Sequence, residues 1–477
     1  MDTSSKSIRV LMLPWLAHGH ISPFLQLGKS LAKRNFVSYI CSSQINLDHI
    51  RKHLSPKDSI SIKLVDLQIA ATPDLPLHHH TTNGLPPHLM APLKRALDQA
   101  RPTFFTLLTT LKPDLVLYDF LMPWAPEEAA AALNIPAVLF FPTGAASTSL
   151  LVHHWLGDAS SYPFPAIYFR ENEHEIFNRL VNSAGSDTDD HIRVQDCLRR
   201  SSEIVLIKTF REMEGKYIDL LSELTQKKFV PVGPLVQEVG ENVDEDMIVE
   251  WLDRRDQQST VFASFGSEYF LSESEMEEIA HGLEMSGVGF VWVVRFPAGE
   301  SKTVGEKLPE GFVERVRGRG MVVEGWVPQR RILSRESVGG FMSHCGWSSV
   351  MEGAYWGVPI IAVPMHLDQP LNARVVEEVG IGEEVVRSRA GRLERGEVAR
   401  VVRKVVVEKS GEGVRQRAEE MSKKMRERGE AEVDGVEEEV EGLCRRRERC
   451  NLVSENSMDR LDFLVQQNRE KMLSENT

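Results

Sequence analysis

The order of apolar segments restricts the fold of this chain more than any other feature of its sequence. An apolar run of strand character at residues 8–15 is followed by a segment of helical periodicity at 23–35 and by a second strand-like run at 36–43. Strands that alternate with helices in this way form parallel sheets covered by helices. The same alternation continues, with further predicted strands at residues 113–120, 135–142, 260–267, 289–295, 321–326, 339–344 and 359–364. The sequence therefore predicts an α/β fold of two doubly wound parallel-sheet domains that face a cleft.

A change of composition near the middle of the chain marks the predicted domain boundary. The chain has 477 residues, which is more than one hydrophobic core usually supports. The acidic segment 239–250 is typical of a linker, so we expect an N-terminal domain at residues 1–238 and a C-terminal domain at 251–443. Residues 444–477 contain few large apolar side chains and are predicted to form an exposed tail, in which residues 458–471 have the pattern of an amphipathic helix.

Charge and cysteine content argue against several classes of protein. A formal net charge of -13 disfavours a nucleic-acid-binding surface. The five cysteines are an odd number without CxxC spacing, which fits a reducing compartment better than a disulfide framework. The apolar run near the start is too short for a signal-peptide core, and no later run approaches the ~20 residues of a membrane span. We therefore expect a cytoplasmic monomer.

The segment FMSHCGWSSVMEG, residues 341–353, combines residue types that suit a metal, a thiol nucleophile or an anion. His344 and Cys345 are adjacent, and no second pair with ligand spacing follows, which disfavours structural zinc. A cysteine at the end of an apolar strand is more often a packing residue than a nucleophile. The anion hypothesis explains more residues, because a strand, a glycine and hydroxyls that open a helix present backbone N–H groups and a positive dipole end. The segment is therefore predicted to bind a pyrophosphate.

The surrounding sequence resembles a known family. Residues 326–369, WVPQRRILSRESVGGFMSHCGWSSVMEGAYWGVPIIAVPMHLDQ, closely resemble the signature box of plant UDP-dependent glycosyltransferases of family 1, which have the two-domain GT-B fold. PWLAHGHISPFLQLGKSL, TTNGLPPHL, YDFLMPWAP, VPVGPLVQE and FGSEYFLSESEMEEIAHGLEMSG are also similar to that family, and the last three resemble its branch-forming subgroup. Members of this subgroup extend a sugar already present on a plant glycoside. The resemblance implies an inverting, metal-independent transferase that needs no cofactor.

The resemblance also implies how the box residues bind a UDP-sugar. Trp326 would stack on the uracil, with the main chain of Val327 at the ring edge and Gln329 near the ribose. Glu352 would accept hydrogen bonds from the ribose hydroxyls. The residues implied around the pyrophosphate and the sugar are Ser267, His344, Gly346, Trp347, Ser348, Ser349, Asp368 and Gln369. Many family members have asparagine where this chain has Ser348, whose side chain is shorter.

The donor and the acceptor follow from the same resemblance. The box ends in Gln369, as in members that use UDP-glucose, and Pro23 supplies no cation for the carboxylate of glucuronic acid. The acceptor is expected to be a glycoside of flavonoid or terpenoid type, extended through a 1,2 or 1,6 linkage. The acceptor pocket is expected near residues 80–89, Trp124 and residues 143–149.

His20 and Asp119 are the candidate catalytic pair. His20 follows the first predicted strand, at the carboxyl edge where α/β sheets bind ligands, and resembles the general base of the family. Asp119 ends a later strand and resembles the carboxylate that orients this histidine and stabilises its imidazolium. A histidine at a strand end is more often structural than catalytic, so the functional interpretation depends on the box.

Several other motifs have simpler interpretations. His18 is assigned a structural role, and the histidines at 78–80 are assigned to a solvated loop rather than to a metal site. DTD at 187–189 and DED at 244–246 match the DxD motif that metal-dependent glycosyltransferases use, but both lie in polar segments away from strand ends and are interpreted as chance matches. The basic run 445–449 is interpreted as a solvated helix end rather than as a lipid-binding patch. No metal site is predicted.

Three other functions compete with a branch-forming transferase. A nicotinamide oxidoreductase would share the sheet, but the first turn, PWLAHGH, lacks the G-x-G-x-x-G fingerprint. A non-catalytic nucleotide-sugar-binding protein would keep the box, but the presence of both His20 and Asp119 disfavours it. A glucosyltransferase that acts directly on an aglycone hydroxyl or carboxyl remains the main alternative.

Overall fold

The predicted alternation of strands and helices is present in both halves of the chain. The computed structural model describes residues 7–52, 54–156, 161–182, 190–236, 247–267, 269–296 and 303–474, without the side chains of residues 181–182 and 450–474. The strings DTD and DED, and most of the predicted linker, lie outside the described residues. The strands form two sheets in which the paired strands run parallel. The predicted fold class is therefore confirmed.

The first half of the chain forms a seven-stranded sheet in the order β3-β2-β1-β4-β5-β6-β7. Its strands are β1 (Ile8–Leu13), β2 (Phe36–Ser42), β3 (Ile62–Asp66), β4 (Leu115–Tyr118), β5 (Ala137–Phe141), β6 (Ile204–Ile207) and β7 (Lys228–Pro231). Its helices are α1 (His18–Ala32), α2 (Gln44–Lys52), α3 (Asp58–Ser61), α4 (Met90–Gln99), α5 (Arg101–Leu111), α6 (Ala125–Leu133), α7 (Ala145–Trp155), α8 (His174–Asn182), α9 (Asp190–Arg200) and α10 (Arg211–Thr225). The central strands β4, β5 and β6 are buried throughout, because helices cover both faces of the sheet.

The second half forms a six-stranded sheet in the order β10-β9-β8-β11-β12-β13. Its strands are β8 (Thr260–Ser264), β9 (Gly289–Val294), β10 (Gly320–Glu324), β11 (Val338–Ser343), β12 (Ile360–Ala362) and β13 (Gly382–Glu384). Its helices are α11 (Met247–Asp253), α12 (Glu273–Ser286), α13 (Val304–Lys307), α14 (Phe312–Arg315), α15 (Gln329–Leu333), α16 (Trp347–Trp356), α17 (Gln369–Val379), α18 (Arg395–Val406) and α19 (Glu412–Ser474). The strands β8 and β11 lie at its centre.

The last helix, α19, crosses from the second domain to the first. Its beginning packs on α16, where Ser422 Oγ donates to the carbonyl of Tyr355 at 2.6 Å. Further along, the side chains that recur on one face of the helix join the core built on β1 and α1: Val433, Val436, Val440, Leu443 and Cys444. At the crossing, a Cβ on Gly233 would lie 2.9 Å from the carbonyl oxygen of Gly429, so a larger residue would force the two segments apart.

This crossing changes the interpretation of the C-terminal segment. The prediction that the exposed tail begins at residue 444 is wrong at its start, because Cys444 is buried against the first domain. The helix continues through Ser474, which includes the predicted amphipathic segment 458–471. The domain boundaries stay a prediction, although residues 433–443, which they assign to the C-terminal domain, pack on the N-terminal sheet. In the part of the chain that the structure describes, none of the helices has the length and apolar composition that a membrane span requires.

A buried ion cluster also joins the two domains. Arg374 of α17 donates to both carboxylate oxygens of Glu173, at 2.9 and 3.0 Å. The same guanidinium also pairs with Glu384, which in turn pairs with Arg170. Each charge in the cluster has a partner of opposite sign, and leaving one such charge unpaired would be costly. The cluster therefore favours one relative placement of the two sheets.

Candidate active site

A cavity of about 650 Å³ lies between the two sheets. Many of its lining residues follow the carboxyl ends of strands, which is where parallel α/β sheets bind ligands. The first domain contributes His20 and Thr143, and the second contributes Ser267, Trp326 and His344. The cavity thus brings together residues from both predicted halves of the site.

His20 and Asp119 form a hydrogen-bonded pair on the wall of the first domain. Asp119 directly follows β4, and its side chain has no exposed surface. Its Oδ2 lies 2.9 Å from His20 Nδ1 and accepts a hydrogen bond from the backbone N–H of Trp15 at 3.1 Å. Its Oδ1 accepts from the N–H of Phe120 at 2.8 Å. Because a carboxylate only accepts hydrogen bonds, Nδ1 carries the proton and Nε2 has the lone pair that a general base needs.

Asp368 lies on the opposite wall, close enough to influence His20 electrostatically. It immediately precedes α17, and its Oδ2 accepts from the amide of Asn372 at 3.1 Å. Burial raises the pKa of Asp368, and the nearby His20 acts in the opposite direction. The neighbouring Gln369 uses its side-chain carbonyl to accept from the backbone N–H of Met365 at 3.0 Å, which fixes the loop before α17.

The N-terminus of α16 faces the cavity beside His344. The backbone turns sharply here, with Cys345 at a φ of 64° and Gly346 as the N-cap residue. A Cβ on Gly346 or on Gly266 would lie 2.5 Å from His344 Nε2, so both positions need glycine for the ring to fit. Burial lowers the pKa of His344 to about 4, with a smaller contribution from His366. His344 is therefore neutral near pH 7 and acts as a hydrogen-bonding group rather than as a charge.

Cys345 does not have the environment of a nucleophile. Its side chain has no exposed surface, and Sγ lies 3.6 Å from the carbonyl oxygen of Ser343. Burial raises the pKa of the Cys345 thiol well above its usual value, so the reactive thiolate is disfavoured. Among the described residues, no group of three or more potential ligands is arranged to hold a metal ion.

Hydrogen bonds connect the residues that are predicted to bind near the ribose. Gln329 Nε2 donates to Glu352 Oε2 at 2.8 Å and lies 3.4 Å from Ser349 Oγ. Burial raises the pKa of Glu352, while the Gln329 bond acts in the opposite direction. Trp326 is 65% exposed, and Val327 is buried beside it. An exposed indole in a cleft offers a face on which a flat base can stack.

Trp347 has a different environment from the other box residues. Its indole is buried, and Nε1 donates to the backbone carbonyl of Lys208 in the other domain. A Cβ on Gly144 would lie 3.1 Å from the indole ring, so the two domains are in close contact here. Trp347 therefore packs at the domain junction, and contact between its backbone and the hexose stays a prediction.

The structure brings all the predicted donor-site residues together around one cavity. The lining residues from that prediction are Ser267, Trp326, Val327, Gln329, His344, Gly346, Trp347, Ser348, Ser349, Glu352, Asp368 and Gln369, together with the candidate base His20. Asp119 lies behind His20 rather than on the cavity surface.

Two histidines differ from their sequence interpretation. His18 was assigned a structural role, but it lines the cavity and its ring meets Trp326 edge-on at 5.5 Å. His80 is predicted to lie in a solvated loop, but it is buried: Ser43 Oγ donates to its carbonyl at 2.6 Å, and its Nε2 lies 3.3 Å from the carbonyl oxygen of Leu75. The ring contact of His18 could not be predicted from sequence, because it forms between two domains.

The expected acceptor segments contribute unequally. Thr143 lines the cavity, in the loop between β5 and α7. Trp124 does not reach it, since the indole is buried and donates to Asp98 Oδ1 at 2.9 Å. Residues 80–89 are also outside the cavity lining. Of the three expected segments, only the one that directly follows a strand reaches the cavity.

Lys208 and Arg295, which both follow strands, are functional candidates that the sequence did not predict. Lys208 directly follows β6 and donates to Ser348 Oγ at 2.7 Å. Arg295 follows β9, lines the cavity and lies 6.0 Å from the centroid of the Trp326 ring. A basic residue at the carboxyl end of a parallel strand was the available signal, but β6 itself was not predicted.

Two family models cover most of the chain. One, described as UDP-glucoronosyl and UDP-glucosyl transferase, matches residues 242–412. The other, described as glycosyltransferase, N-terminal domain, matches residues 6–237. The two matches meet in the region of the predicted linker.

Similar proteins extend over almost the whole chain. UDP-glucosyltransferase 29 of Panax ginseng is 52% identical over 94% of this chain and 99% of its own length. Beta-D-glucosyl crocetin beta-1,6-glucosyltransferase of Gardenia jasminoides is 48% identical over 90% of this chain and 97% of its own. Among solved structures, Glycyrrhiza uralensis UGT73P12 complexed with glycyrrhetinic acid 3-O-monoglucuronide has a TM-score of 0.81 and 22% identity, and covers 95% of this chain and 100% of its own. That structure supports the GT-B fold, and the two sequence relatives establish the family. The chain therefore belongs to the plant UDP-dependent glycosyltransferases of family 1 and is a transferase.

Proposed function

We propose that this enzyme transfers glucose from UDP-glucose to a hydroxyl of a small-molecule glycoside, with inversion, to form a β-1,2 or β-1,6 branch. The observation that carries this proposal is the shared cavity, in which the His20–Asp119 pair faces residues suited to a UDP-sugar. The crocetin-glucoside enzyme from Gardenia, whose name states a 1,6-glucosyl transfer to a glucoside, supports the acceptor class.

His20 acts as the general base in this proposal. Its Nε2 removes the proton from the acceptor hydroxyl as the oxygen attacks the anomeric carbon of the donor, and the bond from that carbon to the UDP oxygen breaks. The buried Asp119 carboxylate stabilises the imidazolium that forms. Attack from the face opposite the leaving group converts the α-linked donor into a β-glycoside.

The leaving UDP is stabilised by fixed dipoles. Backbone N–H groups at the start of α16, the hydroxyls of Ser348 and Ser349, and the neutral ring of His344 would surround the diphosphate. These groups are held in place before the reaction and require no metal in this mechanism.

Glucose is the proposed donor sugar. Asp368 and Gln369 would bond its hydroxyls, and the fixed carbonyl of Gln369 leaves the amide NH₂ as the donor to the sugar. Pro23 is buried within α1 and brings no cation toward the cavity. We also propose a reducing compartment such as the cytoplasm, because the described cysteines are buried, free thiols: Cys41, Cys197, Cys345 and Cys444.

The acceptor class is tested by comparing an aglycone with its monoglucoside at equal concentration, with UDP-glucose as donor. We expect faster transfer to the monoglucoside and a product whose new bond lies on the existing sugar. Faster transfer to the bare aglycone, at a phenol or carboxyl, would replace the branch-forming assignment with the aglycone-directed alternative. Binding of UDP-glucose without UDP release in either reaction would instead support a non-catalytic nucleotide-sugar-binding protein.

A further inference from the structure

Lys208 is a buried lysine that reaches from the first domain to the proposed diphosphate site. It directly follows β6, and only 3% of its surface is exposed. Its backbone N–H donates to the carbonyl of Phe141 at 2.8 Å, and its own carbonyl accepts from the indole of Trp347. The first contact ties the main chain of Lys208 to its own domain, and the second ties it to the other domain. The direction in which the Lys208 side chain leaves the main chain is therefore fixed.

The ammonium of Lys208 determines how the hydroxyl of Ser348 is oriented. Lys208 Nζ lies 2.7 Å from Ser348 Oγ, and because an ammonium has donors only, the serine oxygen must be the acceptor. The hydroxyl hydrogen of Ser348 is then directed away from Lys208. Ser348 lines the cavity, whereas Lys208 does not, so this hydrogen can be donated to a ligand there.

The charge of Lys208 lies at the positive end of a helix dipole, which is an unfavourable position for a cation. Ser348 belongs to the first turn of α16, where the helix dipole is positive, and a cation at this end is destabilising on its own. Among the described residues, no ion pair joins Lys208 to a carboxylate. Burial lowers the pKa of Lys208 to about 8, and the more distant carboxylate of Glu352 acts in the opposite direction. The ammonium of Lys208 and the positive end of the α16 dipole therefore meet at Ser348. This arrangement suits a ligand with more than one negative charge.

We propose that Lys208 is a positioning residue for the diphosphate of the UDP-sugar: it turns the hydroxyl of Ser348 toward the ligand and adds a positive charge behind the N-terminus of α16. This inference rests on the proposed function, because it requires UDP at the start of that helix. The hydrogen bond from Lys208 also holds the side chain of Ser348 in place, at a position where many family members have the longer asparagine.

The first consequence is a loss of UDP affinity when the charge is removed. Lys208→Met keeps the length of the side chain but removes the ammonium, and we expect UDP to bind about 10- to 100-fold more weakly by isothermal titration calorimetry. Lys216→Met is the matched control, because Lys216 pairs with Glu378 across the same domain junction but outside the cavity. The control variant should bind UDP as the wild type does.

The second consequence is a coupling between Lys208 and Ser348. If the lysine acts partly through the serine hydroxyl, the losses caused by Lys208→Met and Ser348→Ala should not add in the double variant. Strictly additive losses would show that Lys208 contributes only its charge and would overturn the positioning role. Lys208→Arg, which keeps a charge, should recover part of the affinity.

The third consequence is a pH dependence that a purely structural lysine would not produce. Burial lowers the pKa of Lys208 to about 8, so we expect part of the Lys208 side chains to be neutral near that pH and a bound diphosphate to draw in part of a proton. Titrations of UDP near pH 8 in buffers of different ionisation enthalpy measure the uptake, and the part that is lost in Lys208→Arg, whose charge does not titrate, belongs to Lys208. The phosphates of UDP, with a pKa near 6, are already ionised at this pH.

The outcomes separate this inference from the proposed function. Failure of the wild type to bind UDP would contradict the proposed function itself. Equal UDP affinity of Lys208→Met and wild type, or strictly additive losses in the double variant, would overturn the role of Lys208 alone. If Lys208→Met does not fold, Lys208→Gln, which keeps a polar group against Ser348 without the charge, provides the same comparison.

Discussion

The substitution Asp119→Asn tests how the base is oriented and charged. In the wild type, Oδ2 of Asp119 faces two N–H groups, those of Trp15 and of His20 Nδ1, while Oδ1 faces the N–H of Phe120. An asparagine has only one oxygen, so its NH₂ must face either Trp15 and His20 or Phe120. In each orientation the NH₂ group faces a backbone N–H, that of Trp15 or that of Phe120. Because both orientations carry this cost, we expect both to be populated.

The expected loss of kcat follows from these two orientations. In both orientations the imidazolium loses its carboxylate partner, and a hydrogen bond to a charged group contributes about 1.5–3 kcal/mol, or roughly 10- to 150-fold in rate. In the orientation with NH₂ toward His20, Nδ1 must accept, so the proton moves to Nε2 and the ring can no longer act as the base. The same substitution in a serine-protease triad lowers kcat by about 10⁴. We therefore expect Asp119→Asn to lower kcat by about 10² to 10⁴.

The assay is single-turnover product formation at saturating acceptor, with UDP affinity measured in parallel. UDP binding should remain near the wild-type value, because Asp119 lies behind His20 rather than on the cavity surface. Asp114→Asn is the control: Asp114 accepts from the backbone N–H of Arg9 at 2.9 Å at the other end of β4, so its loss should affect stability rather than kcat. Retention of more than about a tenth of wild-type kcat by Asp119→Asn would refute the orienting role.

Three further predictions address the donor, the helix end and the C-terminus. In a competition, UDP-glucose should react faster than UDP-galactose or UDP-glucuronic acid, and mass analysis of the products would reveal the opposite preference. Gly346→Ala should weaken UDP binding by displacing the ring of His344, whereas Gly305→Ala, whose Cβ meets nothing within 4 Å, should bind UDP normally. Truncation after Glu448 should leave most of the activity, but Val436→Asp should lower the free energy of unfolding by about 3 kcal/mol or more in chemical denaturation, because it buries a charge in the first domain. A normal midpoint for Val436→Asp, or insoluble protein after the truncation, would contradict this account of α19.

The local pattern of the sequence was enough to predict most of the fold. Predicted strands such as 36–43 and 289–295 agree closely with the observed Phe36–Ser42 and Gly289–Val294, because long apolar runs leave little choice of structure. Four strands were missed: Ile62–Asp66, which mixes polar and apolar residues, Ile204–Ile207 and Lys228–Pro231, which are too short to show a period, and Gly382–Glu384, which is largely acidic. Each of them pairs with a neighbouring strand of a sheet, which supplies the hydrogen bonds and the packing that the short segment lacks by itself.

The composition of the donor site could be predicted from a contiguous segment, because residues 326–369 supply most of it. The partner of His20 required a family resemblance, since Asp119 lies 99 positions away along the chain. Only the tertiary structure brings Lys208 to Ser348, His18 to Trp326, and the last helix onto the first domain. Each of these contacts depends on how two separately folded sheets are placed against each other. That placement is set by buried surfaces and ion pairs between distant segments, which local propensity and periodicity do not encode.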